Sequence, residues 1–310
     1  MSIARASALR AVEICPSKYF RTKGYTISPV FISDIRKGII LSGERYKRLI
    51  HKDYCYIPVY TVGPYIHYAQ GIYNKDKTIQ TKRKLGKVLT IFMPHSTEAM
   101  GVEYKEKYFV DEVLNYYKDI FDTIWACVYW ADINHPICDY LQKRGIHIVS
   151  AGYRFEPLFD RRLKTIFELT DAIACGDGGT FVSYALYHNI PVGFFDMGVT
   201  NPGQISKNIL YWETGYDYQI SNNYTKVFNK ELKITDEQKA LINETAGFNK
   251  IRDRQYFRSV LEISKDIWKF CNGDDSRYPI GVYSAYDYYR KNEQYDKAFI
   301  LREALGDNFL

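Results

Sequence analysis

The sequence predicts an α/β protein built around a doubly wound parallel sheet, and three observations predict it. Between residues 88 and 195, short apolar runs of strand length alternate with segments of helical periodicity. One of these runs, Ala172 to Cys175, passes through a turn holding Gly176, Gly178 and Gly179 into a helix and then another apolar run, a unit from which parallel sheets are assembled. The 310 residues are 46% hydrophobic and 25% charged, which is enough to bury a sizeable core and leaves room for two domains.

The elements follow in order. Residues 1–80 carry the weakest periodicity. Ser2 to Val12 has helical character, with Ile3, Leu9, Ala11 and Val12 as its apolar positions, and Gly24 to Ser33 reads as loop or strand. Gly38 to Ser42 and Ile57 to Val62 are short strands, the second running into a Gly63-Pro64 turn. Residues 71–86, rich in Lys, Asn, Asp and Thr, read as an interdomain linker. Val88 to Met93 is the first strand of the main sheet. Glu103 to Phe121 is an amphipathic helix, with Phe109, Val113, Tyr117 and Ile120 on one face. Thr123 to Trp130 is the second strand, and Asn134 to Arg144 is a helix closed by Gly145. Ile146 to Ser150 is the third strand, and Pro157 to Leu169 is a helix with Pro157 in its first turn. Ala172 to Cys175 and Pro191 to Phe195 are strands four and five, joined by a helix from Thr180 to His188 with Thr180 as its N-cap. Four helices alternating with five strands imply right-handed crossovers and one parallel sheet with helices on both faces.

After Asp196 the pattern loosens. Thr235 to Thr245 is a helix whose Thr235-Asp236-Glu237-Gln238 start matches a capping box. Phe257 to Lys269 is another, with Val260, Leu261, Ile263, Ile267 and Trp268 as its apolar set. Tyr283 to Leu305 resembles half of a tetratricopeptide repeat; one copy makes no array, so a packed helical hairpin is expected. The chain thus divides into residues 1–80, 81–234 and a helical segment, 235–310.

Composition narrows the function. No run of about 18 apolar residues is present, so no span is expected, and the opening MSIARASALR lacks the apolar core of a secretory signal. Six cysteines without a Cys-x-x-Cys pair read as reduced thiols of a cytoplasmic protein. The net charge of +6 is uneven: residues 1–80 hold thirteen Lys and Arg against five Asp and Glu, and TKRKLGK at 81–87 extends the basic stretch. Such asymmetry favours an anionic partner: a membrane surface at the inner face, a lipid-phosphate acceptor or nucleic acid. No nucleic-acid motif accompanies the charge, so no nucleic-acid partner is expected.

The chemistry-bearing residues cluster where the strands end. Strand one runs into Pro94-His95-Ser96-Thr97-Glu98, strand two into Trp130-Ala131-Asp132, strand three into Ala151-Gly152-Tyr153-Arg154-Phe155-Glu156, and strand four into Gly176-Asp177-Gly178-Gly179-Thr180. Open α/β sheets bind ligands at this edge. A glycine turn permits positive φ and close approach of a ligand to the main chain, and a helix following it aims free N–H groups at an anion, so the last loop suits a phosphate.

Together, the strand ending in PHS, then VYWAD, SAGYRFEP, the glycine turn and Asn189-Ile190-Pro191-Val192 resemble the C-terminal donor-binding domain of GT-B-type bacterial polysaccharide glycosyltransferases. The layout is shared with UDP-GlcNAc 2-epimerases and teichoic-acid polymerases. The resemblance covers residues 85–200 well, 235–275 loosely and the first 80 weakly. It implies a GT-B-like Rossmann domain preceded by a short acceptor-side region, either abbreviated or entered partway. His95, Ser96 and Thr97 would hold the donor phosphates, and Gly152 to Arg154 would lie against the nucleoside. There Tyr153 would stack on the base and Arg154 would fork onto a phosphate. Gly176, Asp177, Gly178, Gly179 and Thr180 would complete the donor site, with His95 and Glu98 as catalytic groups. Each residue also has a plainer role: His95 as a capping histidine, Arg154 in an ion pair with Glu156 or Asp160, and Asp177 as a turn residue.

The implied reaction moves a sugar from a nucleotide-sugar donor to a glycan or lipid-linked acceptor. No Asp-x-Asp metal signature occurs, so neither a metal nor a cofactor is expected. The acceptor base is open among Glu98, Glu44 and Asp34. A nucleotide-sugar epimerase or hydrolase of the same fold, or a non-catalytic nucleotide-sugar-binding partner protein, are the alternatives.

Overall fold

The computed structural model describes residues 38–53, 55–94, 103–153, 156–176, 178–197, 199–201, 224–272 and 277–306. The helix expected at Ser2 to Val12 and the segment Gly24 to Ser33 lie outside them. Two units emerge from the contacts: residues 38–67 with 242–306, and residues 68–241.

In the first unit, β1 (Ile39–Leu41) pairs in parallel with β2 (Val59–Thr61), Ile39 opposite Val59. The connecting helix α1 (Glu44–Asp53) was not foreseen. Its inward side includes Lys47, only 8% exposed, whose ammonium donates to the Glu303 carbonyl. A helix that turns a lysine inward loses the apolar stripe by which helices are read.

The second unit opens on a correction. Residues 71–86 are not a linker: Ile72 N–H donates to Thr165 Oγ1 at 2.7 Å, and helix α2 spans Lys75–Leu85. Asn74 Oδ1 caps it by accepting from Lys77 N–H at 2.9 Å, and Gly86 closes it at φ 67°. No side chain of α2 is fully buried, so the segment has no apolar period; its caps and its packing make it helical.

The sheet follows. Strands β3 (Val88–Phe92), β5 (Thr123–Cys127), β6 (His147–Val149), β7 (Ala172–Cys175) and β8 (Val192–Phe194) are all parallel, in the order β6-β5-β3-β7-β8. A separate antiparallel pair joins β4 (Glu103–Tyr104) to β9 (Val199–Asn201). The helices are α3 (Glu106–Tyr116), α4 (Pro136–Lys143), α5 (Phe159–Leu169) and α6 (Thr180–Tyr187). Period-two alternation divides them between the faces. Leu89, Ile91, Ala126, Ala172 and Ala174 point to one side, against Phe109, Val110 and Val113 of α3 and Ile137 and Leu141 of α4. On the other side the Phe92 ring stacks on Phe167 of α5 at 5.7 Å and on Phe181 of α6 at 4.6 Å. The expected five-stranded parallel sheet with helices on both faces is present.

Several boundaries differ. α3 stops at Tyr116, Asp119 takes φ 61°, and Ile120 is 44% exposed rather than on the buried face with Phe109, Val113 and Tyr117. β5 ends at Cys127, which places Trp130 in a 3-10 turn (Trp130–Asp132) instead of in the strand. Pro157 precedes α5 instead of lying in its first turn. The N-cap of α6 is Gly179, not Thr180, and no described side chain caps it. The five described cysteines are free, and burial pushes the Cys127 thiol up to about 12.

Helix α7 (Asp236–Ala246) carries the chain out of the second unit. Its capping box forms as expected: Thr235 N–H donates to Gln238 Oε1 at 3.0 Å, and Gln238 N–H to Thr235 Oγ1 at 3.2 Å. Helix α8 (Arg254–Phe270) and the hairpin α9 (Tyr278–Lys291) and α10 (Tyr295–Leu305) build the core of the first unit. Val260, Ile263 and Ile267 of α8 are buried, but Leu261, expected among them, is exposed. No described helix is long and apolar enough to cross a membrane.

At the C-terminal end of α6, His188 stacks on Phe167 at 5.9 Å, and its Nε2 lies 3.1 Å from Lys164 Nζ. Burial, and then the Lys164 charge, push the imidazole down from 6.5 to about 4. Between those values the unfolded chain binds more protons than the folded one, so stability is present above pH 6.5 and lost as pH falls towards 4. With solvent screening of a half-buried group allowed for, the effect is about 1–2 kcal/mol, a Tm change of about 2–8 °C. Thermal unfolding across that range should be flatter in His188→Gln, which still accepts from Lys164. Parallel curves for the two proteins would place the proton uptake elsewhere.

Candidate functional site

The strand order sets the site. β3 lies beside β7, and the connections leaving their C-terminal ends diverge, to α3 on one face and α6 on the other. Such a reversal point leaves a crevice outside the carboxyl ends of the strands. Pro94 is the last described residue after β3, and His95, Ser96, Thr97 and Glu98 follow it in the sequence. Those four lie outside the described residues, as do Asp34, Arg154 and Asp177. The described candidates are Gly176, Gly178, Gly179 and Thr180 after β7, and Gly152 and Tyr153 after β6. Three strand spacings separate β6 from β7, so a ligand touching both must span roughly 14 Å.

The glycine turn is built for closeness rather than for unusual φ. Gly176, Gly178 and Gly179 all avoid the left-handed region, which corrects one reason for expecting glycine there. A Cβ on Gly176 would collide with the Met197 side chain and lie 2.9 Å from the Phe195 carbonyl oxygen. One on Gly178 would come within 3.0 Å of the Tyr224 ring, and one on Gly179 would strike the Phe181 ring. A β-branched residue at 179 therefore displaces Phe181 from Phe92 and does not spare the local packing. Gly179 holds extended backbone, φ −89° and ψ 175°, ahead of α6. In the first turn of α6, Val182 N–H donates to the Gly179 carbonyl at 3.0 Å, and the helix begins at the edge where β7 ends.

The second wall joins the ends of β5 and β6. Gly152 takes φ 84°, a conformation that demands glycine, and its N–H donates to Ser150 Oγ at 3.1 Å. Arg162 of α5 donates to the Ala151 carbonyl at 3.4 Å and pairs with Glu156, so one partner considered for Arg154 is already engaged. Tyr153, 40% exposed, meets Trp130, 45% exposed, edge to face at 5.3 Å. The sequence placed Trp130 at the end of the second strand but assigned the ring no role, whereas Tyr153 was expected to stack on a base. Two exposed aromatic rings at a ligand edge offer stacking surface to a base or a sugar.

A carboxylate–imidazole pair was also missed. Glu106 begins α3, and its Oε2 lies 3.6 Å from Nδ1 of His135, the N-cap of α4. Both helices start at the ligand edge, and Lys105 N–H donates to the Met197 carbonyl at 3.1 Å, tying this start to the segment after β8. Burial raises the Glu106 carboxyl above its ordinary range; His135 opposes the shift and the Asp132 charge adds to it. A partly buried carboxyl raised in this way holds a proton more readily than a free one, as a general base must. The signal in the sequence was slight: an acidic residue in a first turn, and a histidine before Pro136.

Glu44, weighed as a base, has a different setting. Burial raises its carboxyl, but the Lys250 hydrogen bond, Lys47 and Thr61 together outweigh burial and hold it below the ordinary range. Lys250 Nζ stands 3.0 Å away, and Thr61 Oγ1 donates at 3.0 Å. It is an ion-paired structural carboxylate in the first unit. Among the described residues no three His, Cys, Asp or Glu side chains gather as a metal site would require. No protein-family model matches the chain, and no curated protein matches it.

Proposed function

We propose that the chain is a glycosyltransferase of GT-B-like design that moves a sugar from a nucleotide-sugar donor to a glycan or lipid-linked acceptor. The observation that supports this reading is the pairing of β3 with β7 at the reversal point of the sheet, which brings the C-terminal ends of these two strands side by side. In this reading the α6 N-terminus, Ser96 and Thr97 hold the diphosphate, and His95 supports the departing oxygen. Tyr153 and Trp130 receive the base, with Arg154 on a phosphate. Residues 1–80 supply the acceptor side. The acceptor hydroxyl needs a base, and Glu106, which begins α3 and whose burial raises its affinity for a proton, is one candidate; Glu98 is another. Charge stabilisation by helix N–H groups and basic side chains needs no metal.

A thermal-shift panel of UDP-, GDP-, CMP- and CDP-sugars tests the reading. One nucleotide class should stabilise the protein by about 2.7 kcal/mol at a hundred times its Kd, with EDTA making no difference. Stabilisation abolished by EDTA and restored by manganese would remove metal independence. Nucleotide release that is indifferent to acceptor would replace transfer with hydrolysis or epimerisation.

A further inference from the structure

Helix α2 packs one side on α5 and leaves the other exposed. Residues 75–87 contain six Lys and Arg and one acidic residue, Asp76. Half-buried Thr78, Lys82 and Leu85 form the inner side of α2, which packs against α5. Lys82 is paired, its Nζ 2.8 Å from Asp171. The neighbouring acids are occupied: Asp122 accepts from Lys87 N–H at 2.7 Å, and Asp171 accepts from Val88 N–H at 2.9 Å. Lys75, Arg83 and Lys84 are exposed, and no acidic side chain among the described residues pairs with them. At about 100° per residue, Asp76, Ile79, Gln80 and Arg83 share the outer side, Lys84 lies further round it, and Lys75 stands near Lys82 at the margin of the packed side. Ile79 is 41% exposed, and Ile72, just before the helix, is 40% exposed.

We infer that α2 docks the protein on an anionic bilayer surface, with Lys75, Arg83 and Lys84 at the lipid phosphates and Ile72 and Ile79 seated at the headgroup boundary. Exposed lysines and an arginine beside exposed isoleucines suit the boundary where anionic headgroups meet the acyl chains. A nucleic-acid backbone would use the same charges but has no place for the isoleucines. The helix ends at Gly86, where β3 begins, and Thr123 Oγ1 donates to the Leu85 carbonyl at 2.5 Å. Its C-terminal end therefore lies at the sheet edge opposite the glycine turn, and docking leaves the candidate site uncovered. The inference does not depend on the reaction proposed above.

The test is co-sedimentation of the full chain with vesicles of phosphatidylcholine alone and of phosphatidylcholine mixed with phosphatidylglycerol. Binding should require phosphatidylglycerol and weaken as salt is added. Each basic residue at the surface contributes about fivefold, so the triple variant Lys75→Gln, Arg83→Gln, Lys84→Gln should lower partitioning by about a hundredfold. The pair Ile72→Ser, Ile79→Ser should lower it several-fold. A control triple on the other unit, Arg258→Gln, Lys265→Gln, Lys291→Gln, removes the same charge and should bind as the parent does. Equal loss in the control, binding to phosphatidylcholine alone, or no vesicle binding would each overturn the inference. So would tighter binding to a single-stranded RNA oligonucleotide that the α2 triple abolishes. All six charge positions are exposed, so folding should survive; unchanged Tm values verify it.

Discussion

Replacing Glu106 with glutamine should lower the turnover of sugar transfer by about 10²–10⁴-fold, the contribution of a well-placed proton acceptor. Glutamine keeps the shape and the first-turn position in α3 and stays beside His135. KM for the donor should therefore change little, because the loss falls on the transition state alone. The pH profile carries a second signature. Burial raises the Glu106 carboxyl above its ordinary value, and only its deprotonated form accepts a proton. The parent rate should therefore rise with pH through that raised value, and the variant should lose the rise. An unchanged kcat with the acidic limb intact would make Glu106 a structural partner of His135. The same loss in Glu98→Gln instead would place the base in the loop after β3.

The second large effect is on stability. Phe109→Ala should cost about 3–5 kcal/mol, since it removes a fully buried ring and leaves a cavity beneath the sheet. The ring meets Phe195 edge to face at 6.5 Å and packs with Leu89 and Ile91 on the α3 side. Against a typical stability of about 5–15 kcal/mol, that is a large fraction. Ile120→Ala, at a position the periodicity assigns to the same face, should cost less than about 0.5 kcal/mol because Ile120 is 44% exposed. Urea unfolding of the two variants measures the difference. Equal costs would mean that α3 continues past Tyr116 and buries Ile120.

These variants also show where the sequence was legible. The sheet was, because β3, β5 and β7 are apolar runs buried on both faces, and the helices between them carry stripes such as Phe109 and Val113. Caps held where their chemistry is local, as in the Thr235–Gln238 box. Periodicity failed where burial and polarity part company. α1 buries Lys47, α2 buries no side chain fully, and Leu261 and Ile120 are apolar yet exposed. The site was half legible for a related reason. Glycines announce a turn, and Gly176 to Gly179 form one, but what demands them is Met197, Tyr224 and Phe181, brought in by later parts of the chain. The contact of Trp130 with Tyr153 and the pairing of Glu106 with His135 went unnoticed because sequence distance hides both.

Hydrogen–deuterium exchange of the full chain, with and without a saturating nucleotide sugar from the panel, tests the central claim most directly. The account predicts slowed exchange in three segments: 93–102 after β3, 150–156 after β6, and 176–182 across the glycine turn and the first turn of α6. The N-terminal ends of the same strands should be unaffected. Protection confined to α9 and α10, or ligand binding that leaves all three segments unchanged, would contradict it.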